Sequence, residues 1–419
     1  MAYDAIIIGG GPAGSSAAIC LSQLGARVLV LEEKHMPRGK LCGEFITPEC
    51  FPTLERLGVM ERMLASGARK ISRVSLVVSS GKSVHTQIAK VPGGSSCALS
   101  LSRARFDQIL FDRAREAGAE CREGVAVKGC SLANSSVHRV EALSLSEGSG
   151  ISFDAPLIID ASGRNSRLMV GKKERIAGRR GARLYALKAH FKGAQDIDDQ
   201  VELYFFSQGY GGLSQVENGL VNLCFIVDER TLKDAGGEPL KVVDQTLMRN
   251  SLACQRLQRA EVVGKWHSAG PLTFGRRRLA RGGVIAIGDA SGMIDPFTGT
   301  GIQIALRTGE LAAAAIIEAM GAPRETLASD IPNTAAESAA GEAGSSTILD
   351  SVLSSYARHY QLEFSNRMKF AGLLRLAAFS PVAASAFAGV LARFPRLTDL
   401  VFRGTRSGDV SQNLPQRSA

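Results

Sequence analysis

The stretch IIIGGGPAGSSAAICLSQLGARVLVLEE, residues 6–33, decides the fold. Ala5-Ile6-Ile7-Ile8 and Ala26-Arg27-Val28-Leu29-Val30-Leu31 are continuous apolar runs, the pattern of strands buried on both faces. Between them, Pro12 to Leu24 predicts a helix whose small residues, Ala13 to Ala18, allow close approach to a sheet, with Gly25 in the position a C-terminal cap favours. Gly9, Gly11 and Gly14 fill the G-x-G-x-x-G spacing: one for a tight turn, one for close approach of a pyrophosphate, one for helix–strand packing. The anion then meets free N–H groups at the positive end of a helix. Glu32 ends the second strand, placed to accept hydrogen bonds from ribose hydroxyls. A carboxylate there disfavours a 2′-phosphate, so the stretch reads as a site for FAD or NAD rather than NADP.

The rest of the composition fits an enzyme. A chain of 419 residues, 45% hydrophobic, has room for two or three domains with cores of their own. No apolar run reaches the length of a membrane span and the first residues lead straight into a strand, so a cytoplasmic location is expected. Eight cysteines without a C-x-x-C pair argue against a zinc site or a disulfide framework, and most are expected as buried thiols, with no metal site. The net charge of +10 is concentrated in Lys172, Lys173, Arg175, Arg179, Arg180 and Arg183, and in Arg276, Arg277, Arg278 and Arg281. Such runs suit an anionic surface, substrate or cofactor. Nucleic acid is not expected: no nucleic-acid-binding module accompanies them, and aromatic residues make up only 6% of the chain.

Further along, residues 100–121 carry Phe106, Ile109, Leu110 and Ala114 at helical spacing, and Leu157-Ile158-Ile159 is another buried strand. From about 183 to 227 the alternation is strand-like and predicts a separate, mainly antiparallel sheet. Within it Tyr204, Phe206 and Tyr210 are expected to line an apolar substrate pocket, with Gly209, Gly211 and Gly212 bending the strand. Residues 282–320 return to strand, glycine loop and long helix. Residues 326–346 read as a flexible loop, and 347–419 as a helical region that packs on the other domains or touches a membrane surface.

The glycine fingerprint, Glu32, the Arg103 segment "LSRARFDQIL", the "DASG" turn at 160–163 and the block "GDASGMIDPFTGTGI" at 288–302 stand in one order. That order resembles the flavoprotein superfamily of p-hydroxybenzoate hydroxylase, the geranylgeranyl reductases and the flavin-dependent halogenases. The resemblance covers most of residues 1–320 and implies an α/β fold: a Rossmann-like FAD-binding domain, discontinuous in sequence, with an antiparallel-sheet substrate domain and a C-terminal helical region. The implied segments are 1–70, 97–172 and 265–325 for the FAD-binding domain, and 71–96 with 173–264 for the substrate domain. It implies non-covalent FAD held by Gly9, Gly11, Ala13 and Gly14 at the pyrophosphate, Glu32 at the ribose, Arg103 beside the cofactor, Ala126 on the adenine side, Asp289 near the ribityl chain, and Gly301 and Ile302 at a helix start aimed at the flavin. Independently of any family, the positive end of a helix near N1 and C2=O favours the anionic reduced flavin.

The block lacks the histidine that aromatic hydroxylases show directly after "GDAA", and "PRGKLCGEFITPE" at 37–49 resembles the C-G segment of the geranylgeranyl reductases. That branch implies that Cys42, Gly43, Pro296 and Phe297 face the flavin. The same 37–49 segment is similar to the "GE…P" segment of halogenases, which also use a W-x-W-x-I-P motif and a relay lysine. Here there is one tryptophan, Trp266, and Lys70 lies in the corresponding region. The archaeal reductases carry Y-x-W-x-F-P in the region where this chain has "VELYFFSQGYGGLSQVENGLVNLCF". The expected activity is reduction of a carbon–carbon double bond in an apolar substrate, isoprenoid-like, polyketide-like or quinone-like. The alternatives are a monooxygenase acting through a flavin C4a-hydroperoxide, a halogenase, or a non-catalytic electron carrier. With a single dinucleotide fingerprint, the electron donor is expected to be NAD(P)H bound transiently or a separate reductase.

Overall fold

The computed structural model describes residues 3–88, 95–133, 137–169, 183–319 and 345–379. The two apolar runs of the opening stretch form the parallel strands Ala5–Ile8 and Val28–Glu32, paired in register from Ala5 with Val28 to Ile8 with Leu31. They lie in a six-stranded sheet in the order Ala280–Arg281, Val284–Ala286, Leu157–Asp160, Ala5–Ile8, Val28–Glu32, Glu120–Glu123, parallel except for the first pair. A strand with neighbours on both edges and layers on both faces must be apolar throughout, and Ile6, Ile7, Leu29 and Val30 are fully buried.

On one face, the helices Pro12–Gln23, Arg103–Glu116, Gly301–Ala319 and Ser345–Ala378 build the largest core. On the other, the antiparallel sheet Val125–Leu132, His138–Ser144, Gly150–Ala155 packs Val125, Val140 and Ala142 against Ile6, Ile8, Leu29 and Leu31. The small residues of the first helix meet more than the sheet. Its backbone lies against the Gly301–Ala319 helix so closely that a Cβ on Gly309 would stand 2.5 Å from the Ala13 carbonyl oxygen. Ser16 Oγ donates to the Leu306 carbonyl at 2.8 Å across the same contact. Tyr356, Tyr360 and Phe364 of the last helix are fully buried, and Tyr356 OH donates to the Ala286 carbonyl at 2.9 Å.

The second layer is a seven-stranded sheet in the order Glu261–Ala269, Leu184–Lys192, Val221–Asp228, Gly209–Gln215, Gln200–Phe206, Arg73–Val77, Ser83–Gln87. It is antiparallel apart from the pair Gln200–Phe206 with Arg73–Val77. One face buries Leu187, Phe191, Leu213, Leu223 and Phe225 against residues of the short helices Glu229–Asp234, Pro239–Gln245 and Ser251–Leu257. The other face turns towards the layer of the parallel six-stranded sheet. Lys70 sits on the short strand Arg69–Ile71 of a separate three-stranded sheet and is exposed.

Gly209, Gly211 and Gly212 lie in one strand, Gly209–Gln215, that carries no β-bulge. The strand pairs without a register shift on both sides. A Cβ on Gly209 would stand 2.4 Å from the Phe206 ring, and one on Gly211 2.6 Å from Phe225 Cβ. Those two glycines make room for neighbouring aromatic residues. Of the eight cysteines only Cys50 is fully buried; the other seven are partly exposed. The loop expected over 326–346 lies, but for its last two residues, outside the described residues, as do residues 380–419 and all of the 172–183 basic run except Arg183. No helix among the described residues is long and apolar enough to cross a membrane.

Candidate cofactor and substrate site

Two clefts meet at the carboxyl ends of the parallel strands, where open α/β sheets place their ligands. Gly9, Gly11, Glu32, Arg38, Ala126 and Asp289 line the first. The three fingerprint glycines act in different ways. A Cβ on Gly14 would fall 1.9 Å from the Gly9 carbonyl oxygen, and one on Gly9, where φ is +106°, 2.6 Å from the Ala161 carbonyl oxygen, so both serve the packing of turn, helix and loop. A Cβ on Gly11 would meet only the Arg38 guanidinium, at 3.6 Å, and would project into the cleft. Gly11 is therefore the position where a ligand can come close to the backbone. It precedes a helix that begins Pro12-Ala13-Gly14 and has no side-chain cap, so the first N–H groups of that helix are left for an anion. Glu32 is buried at the strand end; its carboxylate accepts from Gly10 N at 2.8 Å and Lys34 N at 3.1 Å, and pairs with Arg38. A cradle of backbone N–H groups at one end and a fixed carboxylate at the other fits the pyrophosphate and ribose of a dinucleotide.

Lys40, Arg103 and Asp289 line both clefts and stand at their junction. Arg103 opens the Arg103–Glu116 helix and makes the i+4 pair with Asp107, at 2.6 and 2.8 Å, but the pair is buried rather than on the surface. Arg38 shares Asp107 at 3.1 Å. Burial, reinforced by the Arg103 and Arg38 charges, pushes the Lys40 ammonium down to about 8.

The second cleft lies between the layer of the parallel sheet and the inner face of the seven-stranded sheet. Cys42, Gly43, Pro296, Phe297, Gly301 and Ile302 line it from the cofactor side. Across from them, Val74, Ala186, Val201, Leu203, Tyr210 and Ile226 project from five neighbouring strands. Phe297 lies between Phe205 and Tyr210, with ring centroids 5.7 Å from each. Tyr210 OH donates to Asp295 Oδ1 at 2.6 Å, and the same oxygen accepts from Phe297 N at 3.0 Å, so one carboxylate joins the glycine loop to the seven-stranded sheet. Burial, with Asp295 adding to it, raises the Tyr210 phenol well above its ordinary value and keeps it a hydrogen-bond donor. Tyr210→Phe removes the phenol's hydrogen bond to that buried carboxylate. We expect it to lower stability by about 1–3 kcal/mol, read as a lower melting temperature of the FAD-loaded protein; an unchanged melt would show the bond to be dispensable.

The other two expected pocket residues lie elsewhere. Tyr204 and Phe206 point to the opposite face of the sheet, into the core beneath the short helices, and line neither cleft. Side chains alternate along a strand, so with Leu203 and Phe205 on the cleft side, Tyr204 and Phe206 face away. Phe205 pairs directly with Tyr210 and packs on Phe297. Its place follows from the same alternation once the register is known.

Glu44 is the residue that spacing did not single out for a role of its own. It is fully buried, takes a left-handed backbone conformation with φ +57°, and lines the second cleft directly after Cys42-Gly43. Its carboxylate accepts from Arg103 N at 2.7 Å, from His190 Nε2 at 2.7 Å and from the buried Lys188 ammonium. Lys188 also donates to the Lys40 carbonyl at 3.2 Å. These contacts hold the Glu44 carboxyl below its ordinary value even though burial alone pushes it the other way.

Residues 2–329 match the model of the FAD binding domain family. The chain belongs to that family. FAD is its cofactor, and the cradle at Gly11, the carboxylate of Glu32 and the continuity of the two clefts through Arg103 and Asp289 fit that group. The chain is 28% identical over 343 residues to a flavin-dependent halogenase of Armillaria mellea, covering 76% of this chain and 68% of that one. It is also 28% identical over 329 residues to digeranylgeranylglycerophospholipid reductase 2 of Methanopyrus kandleri, covering 76% and 78%. Among solved structures it is similar to a flavin-dependent brominase, with TM-score 0.74 at 21% identity, over 97% of this chain and 93% of the other. At that identity the likeness concerns the fold.

Proposed function

We propose that this protein is an FAD-dependent reductase that adds two electrons and two protons to a carbon–carbon double bond of an apolar substrate. The observation that carries the reading is the wall that the seven-stranded sheet presents to the second cleft. Val74, Ala186, Val201, Leu203 and Ile226 offer it no charge, and Phe297 and Tyr210 close one side with aromatic rings. An isoprenoid-like, polyketide-like or quinone-like substrate gains by leaving water for such a surface. Reduced FAD supplies the hydride. The protein's part is to hold the double bond against the Cys42-Gly43 and Pro296-Phe297 segments, exclude water and fix the glycine loop through Asp295. The electrons come from NAD(P)H bound transiently or from a separate reductase.

A second reading is oxygen-dependent chemistry, halogenation included, favoured by the 28% identity to a named halogenase over 76% of this chain. Two features support the reductase against halogenation. Lys70 is exposed on its short strand. Trp266 packs edge-on against Phe191 and Phe225 behind the sheet, at 5.9 and 6.0 Å, and lines neither cleft.

The test is turnover with dithionite-reduced protein under strict anaerobiosis. Loss of one double bond per two electrons is the expected result. Product that forms only when oxygen is admitted, carrying label from oxygen-18 gas or halogen from added halide, would replace the reductase by the second reading.

A further inference from the structure

Arg103 stands where the two clefts meet, and its side chain is locked at the far end by Asp107. Its near end is held in an unusual way. The first N–H groups of a helix have no partner within it, and here two of them are taken by buried carboxylates from different parts of the chain. Glu44, from the loop that lines the second cleft, accepts from Arg103 N at 2.7 Å. Glu217, from the turn Glu217–Gly219, accepts from Ser102 N at 2.9 Å and from the Ser102 hydroxyl, while Ser102 Oγ also accepts from Arg105 N at 3.3 Å. That turn joins the strands Gly209–Gln215 and Val221–Asp228, whose inner faces carry Tyr210, Gly212, Cys224 and Ile226 of the substrate wall. Glu44 in turn holds Lys188 and His190 of the same sheet.

The geometry points to Glu217 as a positioning residue for Arg103, which ties the hairpin of the substrate wall to the grip on FAD. Glu217 lines neither cleft. It fixes the residue next to Arg103 at the start of the helix, one peptide unit from the Cα that carries the guanidinium. Charge-assisted bonds of this kind are short and directional, so the hairpin and the helix start move together. By linkage, whatever shifts the hairpin shifts FAD affinity, and FAD in turn steadies the substrate wall. This inference rests on the FAD site alone and stands whether the reaction is a reduction or an oxygenation.

The experiment is a double-mutant cycle read by FAD titration of the apoprotein, followed through flavin fluorescence. Glu217→Ala is expected to raise the dissociation constant roughly tenfold in the native background. In an Arg103→Met background, where Asp107 keeps Arg38 as a partner, the same substitution should change it less than twofold, because its route to FAD has been removed. Equal effects in both backgrounds mean that Glu217 supports the fold in general and overturn the proposal. So does an unchanged constant in the native background, with or without a lower melting temperature. If Glu217→Ala does not fold, Glu217→Gln takes its place in the same cycle: it keeps the shape and removes the charge, and a rise of threefold or more that vanishes with Arg103→Met supports the proposal, while any other pattern overturns it.

Discussion

Gly11→Val will fold and will not retain FAD. The two halves of that expectation have separate causes. Gly11 has φ −77° and ψ −176°, extended backbone open to any residue, and a Cβ there meets only the end of the flexible Arg38 side chain, at 3.6 Å. The apoprotein therefore has no clash to relieve. The valine methyl groups occupy the space through which a pyrophosphate reaches the N–H groups at the start of the Pro12–Gln23 helix, so the cofactor is excluded by bulk alone. The purified variant should be colourless, with the circular dichroism of the native apoprotein. A yellow variant with full flavin content would remove the basis for the FAD site. Gly14→Ala is the contrasting change: its Cβ would lie 1.9 Å from the Gly9 carbonyl oxygen, inside the fold rather than in the cleft. That substitution should lower the melting temperature of the apoprotein itself, at a cost of roughly 1–3 kcal/mol or more.

Glu44→Gln carries the second large effect, this time on stability. It leaves the Lys188 ammonium, 1% exposed, beside a neutral amide. Breaking one side of a buried ion pair costs about 3–5 kcal/mol, since the remaining charge keeps its desolvation penalty without its partner. The variant should melt at a clearly lower temperature at pH 7. Glu44→Gln combined with Lys188→Met should recover part of the loss, because no buried charge is then stranded. The pH dependence has a definite sign. The Glu44 carboxyl is held below its ordinary value in the folded protein, and the unfolded chain titrates near 4.3. Its contribution is present above the unfolded value and is lost as pH falls through the folded one. The gap in melting temperature between native protein and Glu44→Gln should therefore be widest near neutrality and narrow at acidic pH. A gap independent of pH would mean that the carboxylate charge contributes nothing and that the loss comes from shape.

The pair of expectations separates two kinds of information. The role of Gly11 was legible in one local stretch, because a turn, a helix start and a strand end lie within 33 residues and their geometry is set by φ, sterics and spacing. The buried strands, the Arg103 helix and the glycine loop before Gly301 were legible for the same reason. The Glu44 cluster was not. Its partners Lys188 and His190 are 144 and 146 positions away, and nothing in the spacing of a buried charge names its counter-ion.

By itself the sequence determined a βαβ dinucleotide site with a ribose carboxylate, a second sheet built on period-2 alternation, and the helix start at Gly301, since each follows from contacts within a few residues. Tertiary structure alone decided which side of that second sheet faces the cleft, and so why Tyr210 lines it with Phe205 on the same face beside Phe297, while Tyr204 and Phe206 lie in the core behind it. Alternation sorts side chains into two sets but does not say which set faces which layer. That choice, like the union of Glu44, Lys188, His190 and Arg103 at one point, was made by the register of distant strands and the docking of two layers.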